Sequence, residues 1–267
     1  MPKTQRVCYL LMMHLKIPKT FHIEGSRLLD GEVDKDAIKL SSLIDKFVVI
    51  EEKVDGTGVG LSFDNNANIT IQTRAKIAST KQFEPLHRWA NDNMNKIWEL
   101  ISDRYIMFGE WCYSKHTIFY NNLCHHFLES DIYDRKEERW LSTYRRQELI
   151  SHYGGDIICS VPILKIGRIA PNEDMKKYII PSFYKTERWK IDLEHYCTKY
   201  HYDFPQIVKE TDDSILSEGL YIKVEDKDSV VGRYKYIRHQ FLATILASGS
   251  HYKDRAIIPN MVNKENV

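Results

Sequence analysis

A β-branched run that ends on a lysine and a tight-turn signal is the feature that most constrains this chain. Phe47-Val-Val-Ile-Glu-Glu52 reads as a strand, Lys53 closes it, and Asp55-Gly56 is a strong turn pair. The plain reading is a hairpin with Lys53 as an ordinary exposed strand residue. The chemical reading is a rigid strand end that holds an amine at the mouth of a pocket. A free lysine, with a pKa of ~10.4, is protonated at neutral pH and cannot attack an electrophile. Nearby cations, a metal and partial desolvation would have to lower that value, so the chemical reading requires partners elsewhere in the chain.

The flanking pattern alternates short strands with a few helices. Val59–Phe63 and Ile69–Thr73 read as strands around the polar turn Asp64-Asn-Asn66, and apolar spacing predicts a helix over Gln82–Ile101. Strands are expected at Tyr105–Gly109, Phe127–Tyr133 and Ile157–Leu164, with a helix at Thr143–Tyr153 between the last two. Pro171–Ile215 reads as a mostly helical insertion that packs on the sheet, interrupted by Pro181 and Pro205. Gly219–Glu225 and Val230–Arg238 are expected to close the sheet, and Gln240–Ala247 to form a last short helix. Such an order implies an α+β fold of antiparallel sheets flanked by helices.

Composition narrows the function classes. The 267 residues are 43% hydrophobic and 28% charged, which suits a globular core and excludes global disorder. Thirty-eight Lys and Arg against 37 Asp and Glu leave a charge of +1, so any polyanion surface must come from local clustering. No apolar run approaches the ~20 residues of a membrane span. The five cysteines form no C-x-x-C pair, and a reducing, cytoplasmic setting is expected.

Four further strand-borne features accompany Lys53. Arg74 follows the strand Ile69–Thr73. Glu110 lies in Phe108-Gly-Glu-Trp111, Glu218 opens Glu218-Gly-Leu-Tyr-Ile-Lys223, and Arg233-Tyr-Lys235 puts two cations on one strand face. Singly, each has a plain reading as a surface charge, a turn or a solvated strand edge. Jointly, a strand-end lysine, two strand-end carboxylates and a same-face cation pair are what covalent nucleotidyl transfer needs.

These segments resemble the motifs of a known superfamily. Lys53-Val-Asp-Gly56 is similar to the K-x-D-G nucleophile motif of the covalent nucleotidyltransferases, the ATP-dependent ligases and mRNA-capping enzymes. Phe108-Gly-Glu-Trp111 resembles the third motif and Phe127-Leu-Glu-Ser-Asp-Ile132 the segment after it, although Glu129-Ser130 stands where relatives often carry small or aromatic residues. Glu218–Lys223 matches E-G-x-x-[IVL]-K, and Arg233-Tyr-Lys235 resembles the final K-x-K with Arg at its first position. Within the superfamily the chain looks like the RNA ligases of the second phage type and their small bacterial and viral relatives. In those, segments like Glu24-Gly-Ser-Arg27 and Leu141–Arg146 (Leu-Ser-x-x-Arg-Arg) flank the same motifs.

The resemblance implies an ATP-grasp-like ligase adenylation fold spanning residues 22–241, with 1–21 as a tail, 171–215 as the insertion, and 242–267 as a short helix and tail. Only 32 residues follow Lys235, so no C-terminal OB-fold is expected. It implies ATP-dependent RNA sealing: Lys53 takes AMP, passes it to an RNA 5′-phosphate, and a 3′-hydroxyl then displaces it. Asp55 belongs to the nucleophile motif. Glu110 would hold the ribose hydroxyls, Phe127 would stack on adenine (with Trp111, Tyr113 or Phe119 as substitutes), and Tyr221 would cover its other face. The Glu52 main chain would meet the purine edge, and Arg74 the ribose or incoming phosphate. Glu218, with Glu110, would place Mg²⁺ or Mn²⁺. Lys223, Arg233 and Lys235 would neutralise the α-phosphate and depress the pKa of Lys53. Lys176-Lys177, Lys185, Arg188 and Lys190, interleaved with Tyr184 and Trp189, form a candidate RNA surface, and a domain this small leaves room for a protein partner that presents the ends. A non-catalytic nucleotide-binding or RNA-end-binding module and a DNA nick ligase are the alternatives.

Overall fold

The computed structural model describes residues 14–26, 37–64, 66–74, 76–251 and 254–263. Its frame is a pair of sheets. The first has the order β10-β3-β11-β12-β1-β2, where β1 is Phe21–Ile23, β2 Ala37–Ile38, β3 Phe47–Lys53, β10 Ile163–Arg168, β11 Gly219–Glu225 and β12 Val230–Ile237. All its pairings are antiparallel except β1 with β12 and β1 with β2. The second runs β5-β4-β6-β7-β8, from β4 Thr57–Phe63, β5 Ile69–Thr73, β6 Tyr105–Trp111, β7 Phe127–Asp134 and β8 Arg139–Trp140. The two-residue β9, Cys159–Ser160, lies parallel to β7.

Strand alternation decides which side chains meet. In β3, Val48 and Ile50 enter one core with Leu220 and Ile222 of β11 and with Ile23 and Tyr236, while Glu51 and Lys53 face the other way. On the second sheet, Leu61, Ile71, Trp111, Phe127 and Ile132 face a core closed by Leu86, Ala90, Ile97 and Ile101 of two helices, α1 (Glu84–Asp92) and α2 (Met94–Ile101). Those helices divide the single helix expected over Gln82–Ile101. They meet at Asn93, whose backbone leaves the helical region (φ −107°, ψ 17°) while its N–H and side-chain amide both donate to the Trp89 carbonyl, at 3.0 and 2.9 Å. Helix α3, Thr143–Tyr153, has the expected bounds and starts at Ser142, whose hydroxyl accepts from the Arg145 amide.

The largest departure from local reading is at Asp55-Gly56. Strands β3 and β4 do not pair as a hairpin. They belong to different sheets, and residues 54–56 carry the chain across. Between residues 171 and 215 the regular structure is a 3₁₀ turn at Met175–Tyr178, α4 (Trp189–Tyr200) and α5 (Phe204–Lys209), with Pro205 in the first turn of α5, where its missing N–H costs no hydrogen bond. Trp189, Leu193, Cys197 and Ile207 pack on Phe119 and Ile258, away from the sheet faces. The last helix, α6, is His239–Ser248. Beyond it, Asn260 accepts from the Tyr120 amide at 2.8 Å and donates to the Cys112 carbonyl at 2.7 Å, tying the C-terminal stretch into the loop after β6. No helix among the described residues is long and apolar enough to cross a membrane.

Candidate active site

A cleft of about 380 Å³ opens between the sheets, lined among others by Glu52, Lys53, Arg74, Phe108, Glu110, Tyr221 and Lys235. Lys53 stands at the end of β3 where the chain leaves the first sheet, and its Nζ lies 2.7 Å from Glu218 Oε1. Strand pairing puts Gly219 opposite Lys53, so the carboxylate just before β11 meets the amine just after β3's apolar run. Gly219 also lets β11 lie close against β12 on its other side, because a Cβ there would fall 1.9 Å from the Tyr236 carbonyl oxygen. Glu110 reaches the same space from β6 of the second sheet.

Burial pushes the carboxyls of Glu110 and Glu218 up to about 7, against the pull of the Lys53 ammonium. Burial works against the charge of Lys53 too, but Glu218, Glu110 and Asp55 outweigh it and hold the amine above its ordinary value. That reverses the expected depression of the Lys53 pKa. The reason lies in where the cations sit. Lys223 is buried behind the cleft wall, donating to the Ser130 carbonyl and pairing with Glu51 at 2.9 Å. Arg233 is likewise buried and pairs with Asp131 at 3.0 Å. Of the three expected phosphate cations, Lys235 is the one that lines the cleft.

Asp55 is a brace for the crossover. Its Oδ2 accepts the backbone N–H groups of Thr117 and Ile118 at 2.7 and 2.8 Å, and its own amide donates to the Tyr120 hydroxyl at 2.8 Å. Burial opposes its charge, yet His116 and those amides hold its carboxyl below the usual range. Glu52 lines the cleft, while its carboxylate is turned to Ser182 and Phe183, accepting from the Ser182 hydroxyl at 2.5 Å and the Phe183 amide at 3.2 Å.

Phe127 does not reach the cleft. It pairs with Trp111 across β6 and β7, so both rings lie on the helix-covered face, where Phe127 is fully buried near Trp89. Trp111 shares that face, Tyr113 packs against the same core, and Phe119 is buried under α4. The aromatic side chains that line the cleft are Phe21, Phe108 and Tyr221, and the Tyr221 hydroxyl donates to Asp131 at 3.1 Å. Tyr184, Lys185 and Trp189 are buried, with the Lys185 ammonium over the Trp189 ring, while Lys176, Lys177, Arg188 and Lys190 are exposed, so the expected RNA surface there keeps its outer cations but not its aromatic rings.

Two parts of the site escaped sequence reasoning. Residues 14–21, read as tail, run along the cleft: the Gln72 side chain donates to the Leu15 carbonyl at 2.7 Å, and His14 Nε2 meets the Thr73 carbonyl at 3.0 Å. Arg27 of the Glu24–Arg27 segment lies outside the described residues, as do residues 1–13. The second part is a buried ionic network. Arg146 of α3 donates to both Glu129 oxygens at 3.1 and 3.0 Å and to Glu51, joining β7 of one sheet to β3 of the other. Ser160 adds a hydrogen bond to Glu129 at 2.7 Å. This explains why a carboxylate stands at 129, and the Leu141–Arg146 segment was the available signal.

As a metal site the cleft is incomplete by itself. Glu110 and Glu218 supply hard oxygen donors of the kind Mg²⁺ and Mn²⁺ prefer, but no group of three or more candidate ligands occurs among the described residues. The pair fits an ion whose remaining positions are taken by phosphate oxygens and water.

A profile of the RNA ligase family matches residues 46–237, spanning β3 through β12 and every cleft group between them. The chain belongs to the RNA ligase family. No curated protein matches the chain. Solved structures of a Naegleria gruberi RNA ligase share the fold. The form with pyrophosphate is 17% identical with a TM-score of 0.52, covering 91% of this chain and 64% of that one. A lysine-to-methionine variant with AMP and manganese is 15% identical at a TM-score of 0.52, covering 90 and 60%. A variant with ATP and manganese is 16% identical at 0.51, covering 80 and 54%. The Naegleria chains are thus substantially longer than this RNA ligase domain.

Proposed function

We propose that the protein is an ATP-dependent RNA ligase that works through a lysyl-AMP intermediate on Lys53. The observation that carries this reading is the Lys53 amine, 2.7 Å from Glu218 at a cleft between two sheets, in a chain of the RNA ligase family. Lys53 Nζ attacks the α-phosphorus of ATP, the bond to pyrophosphate breaks, and the amine gives up its proton. AMP then passes to an RNA 5′-phosphate, and attack by a 3′-hydroxyl seals the phosphodiester and releases AMP.

The resting ammonium cannot attack, so binding must first weaken its hold on a proton. Glu218 and Glu110 are the residues that would hold Mg²⁺ or Mn²⁺, and the ion would supply charge neutralisation at the phosphates. A carboxylate drawn to an ion pulls less on the Lys53 proton, which couples ATP loading to activation of the nucleophile. Glu110 is positioned to accept from ribose hydroxyls, Tyr221 offers a ring face to the base, and Lys235 and Arg74 offer positive charge to the phosphates. Lys223 and Arg233 act from behind the wall by fixing Asp131 and Ser130. Residues 22–241 make up the ligase domain in this reading, its setting is reducing and cytoplasmic, and a protein partner would present the ends. The four cysteines among the described residues are free, in keeping with that setting.

Intact-protein mass spectrometry after incubation with ATP and Mg²⁺ tests the reading. Wild type should gain one adenylate, and Lys53→Ala none. Equal labelling of Lys53→Ala overturns it. Absence of labelling in wild type, with Mn²⁺ tried and pyrophosphate releasing no bound AMP, leaves a nucleotide-binding or RNA-end-binding module instead. Sealing of matched RNA and DNA substrates then separates an RNA from a DNA ligase by the demand for 2′-hydroxyls.

A further inference from the structure

We infer that the RNA strand enters over a basic rim formed by residues 14–22 and by 69–74 with 76–83, which leads into the cleft at Arg74. This rests on the ligase reading and adds the path by which a polynucleotide reaches Lys53. The whole chain carries a charge of +1, so a polyanion surface must be local. Neither rim segment contains an Asp or Glu. Between them Lys16, Lys19, Arg74, Lys76 and Lys81 are exposed to solvent.

The two segments are far apart in sequence but joined in space. Gln72 donates to the Leu15 carbonyl at 2.7 Å and His14 Nε2 meets the Thr73 carbonyl at 3.0 Å, fixing the 14–20 stretch along the edge strand β5. From there it crosses to β1, which pairs with β12 so that His22 lies opposite Lys235. Lys19 and Arg74 line the cleft itself, while Lys16, Lys76 and Lys81 do not. The positive surface therefore continues from the outside into the nucleotide cleft. At the mouth, Phe21 is 38% exposed with the Lys19 ammonium 5.4 Å from its ring centre. An exposed ring among cations suits a single strand, whose bases stack while its phosphates follow the charge. The alternative basic cluster around α4 is interspersed with acids, unlike the rim: Lys177 pairs with Glu173 at 2.6 Å, Arg188 faces Asp192 at 3.9 Å, and Lys185 is buried.

The test is a titration of 5′-phosphorylated single-stranded RNA by fluorescence anisotropy across a salt series, using the full chain. Two triple variants are compared: Lys16→Ala/Lys76→Ala/Lys81→Ala on the rim, and Arg188→Ala/Lys190→Ala/Lys199→Ala on α4. Each single-strand phosphate contact contributes ~0.7 to the slope of log affinity against log salt, so the rim variant should lose ~2 from that slope. One decade of salt below 1 M, it should bind about a hundredfold more weakly. Lysine adenylation by ATP, read by mass, should be unchanged in it, and the α4 variant should bind like wild type. Wild-type affinity and slope in the rim variant overturn the inference, as does an equal loss in the α4 variant. Loss of adenylation together with RNA binding also overturns it, because the rim would then serve ATP. If the wild type itself takes no adenylate, the ligase reading fails, and the anisotropy comparison still decides the rim.

Discussion

Arg146→Met should be among the most damaging substitutions outside the cleft. Arg146 is 1% exposed, and its guanidinium holds Glu129 with one nitrogen and Glu51 with the other, both carboxylates being fully buried. Methionine fills similar volume but leaves those carboxylates short of a counter-charge. Removing one partner of a buried ion pair costs about 3–5 kcal/mol, because the orphaned charge stays desolvated. For a domain this size that corresponds to a melting temperature lower by roughly 6–20 °C. Arg146→Lys should be intermediate, since one ammonium lacks the planar fork that serves two carboxylates. The effect should depend on pH. Burial already raises the Glu129 carboxyl despite Arg146, and without the guanidinium it rises further. The folded variant then binds protons that the unfolded chain releases, so its stability falls as pH climbs through that range. Denaturant unfolding should accordingly show a smaller deficit near pH 5 than near pH 8, and adding Glu129→Gln should recover part of it. A deficit below ~1 kcal/mol, the worth of an exposed pair, or one indifferent to pH, would refute the assignment of this network as a charged clamp between the sheets.

Glu218→Gln should let Lys53 react with an acid anhydride at lower pH than wild type, because the nearest charge holding its proton is gone; superposed labelling profiles by mass spectrometry would remove Glu218 from control of the amine. Asp55→Ala strips two backbone N–H groups of their acceptor and should cost ~1–3 kcal/mol in denaturant unfolding. Because the Asp55 carboxyl is held below its unfolded value, its stabilisation is present above pH ~3.9 and lost as pH falls through the folded value, so the variant should show a flatter acid limb. Gly219→Ala should cost about 3 kcal/mol by forcing β11 away from the Tyr236 carbonyl, and an unchanged unfolding midpoint would contradict the close approach.

Much of the first sheet was legible along the chain. The apolar runs of β3 and β11 and the same-face pair Arg233 and Lys235 follow from period-two alternation, a local property that needs no knowledge of the partner strand. Helix α3 was legible too, with the expected bounds Thr143–Tyr153. Asp55-Gly56 was misread because its turn chemistry is identical whether the chain reverses into a hairpin or crosses to another sheet; the pairing of β4 with β6 decides that. Phe127 was assigned to the cleft from the resemblance of its segment to a family motif, but the register shift at Phe108/Gly109 sets which side chains of β7 face inward.

The sequence by itself determined the chemical inventory of the site. A lysine at a strand end, two carboxylates and several cations are covalent facts, and their places at or near strand ends are read from the order of residues. Only the tertiary structure decided which charges meet. Lys223 and Arg233 are neutralised by Glu51 and Asp131, Glu52 turns its carboxylate away, and residues 14–21 wall the cleft. Each of these pairings joins residues dozens to more than a hundred positions apart. Electrostatic energy depends on distance in space and on burial, neither of which is written in the order of residues.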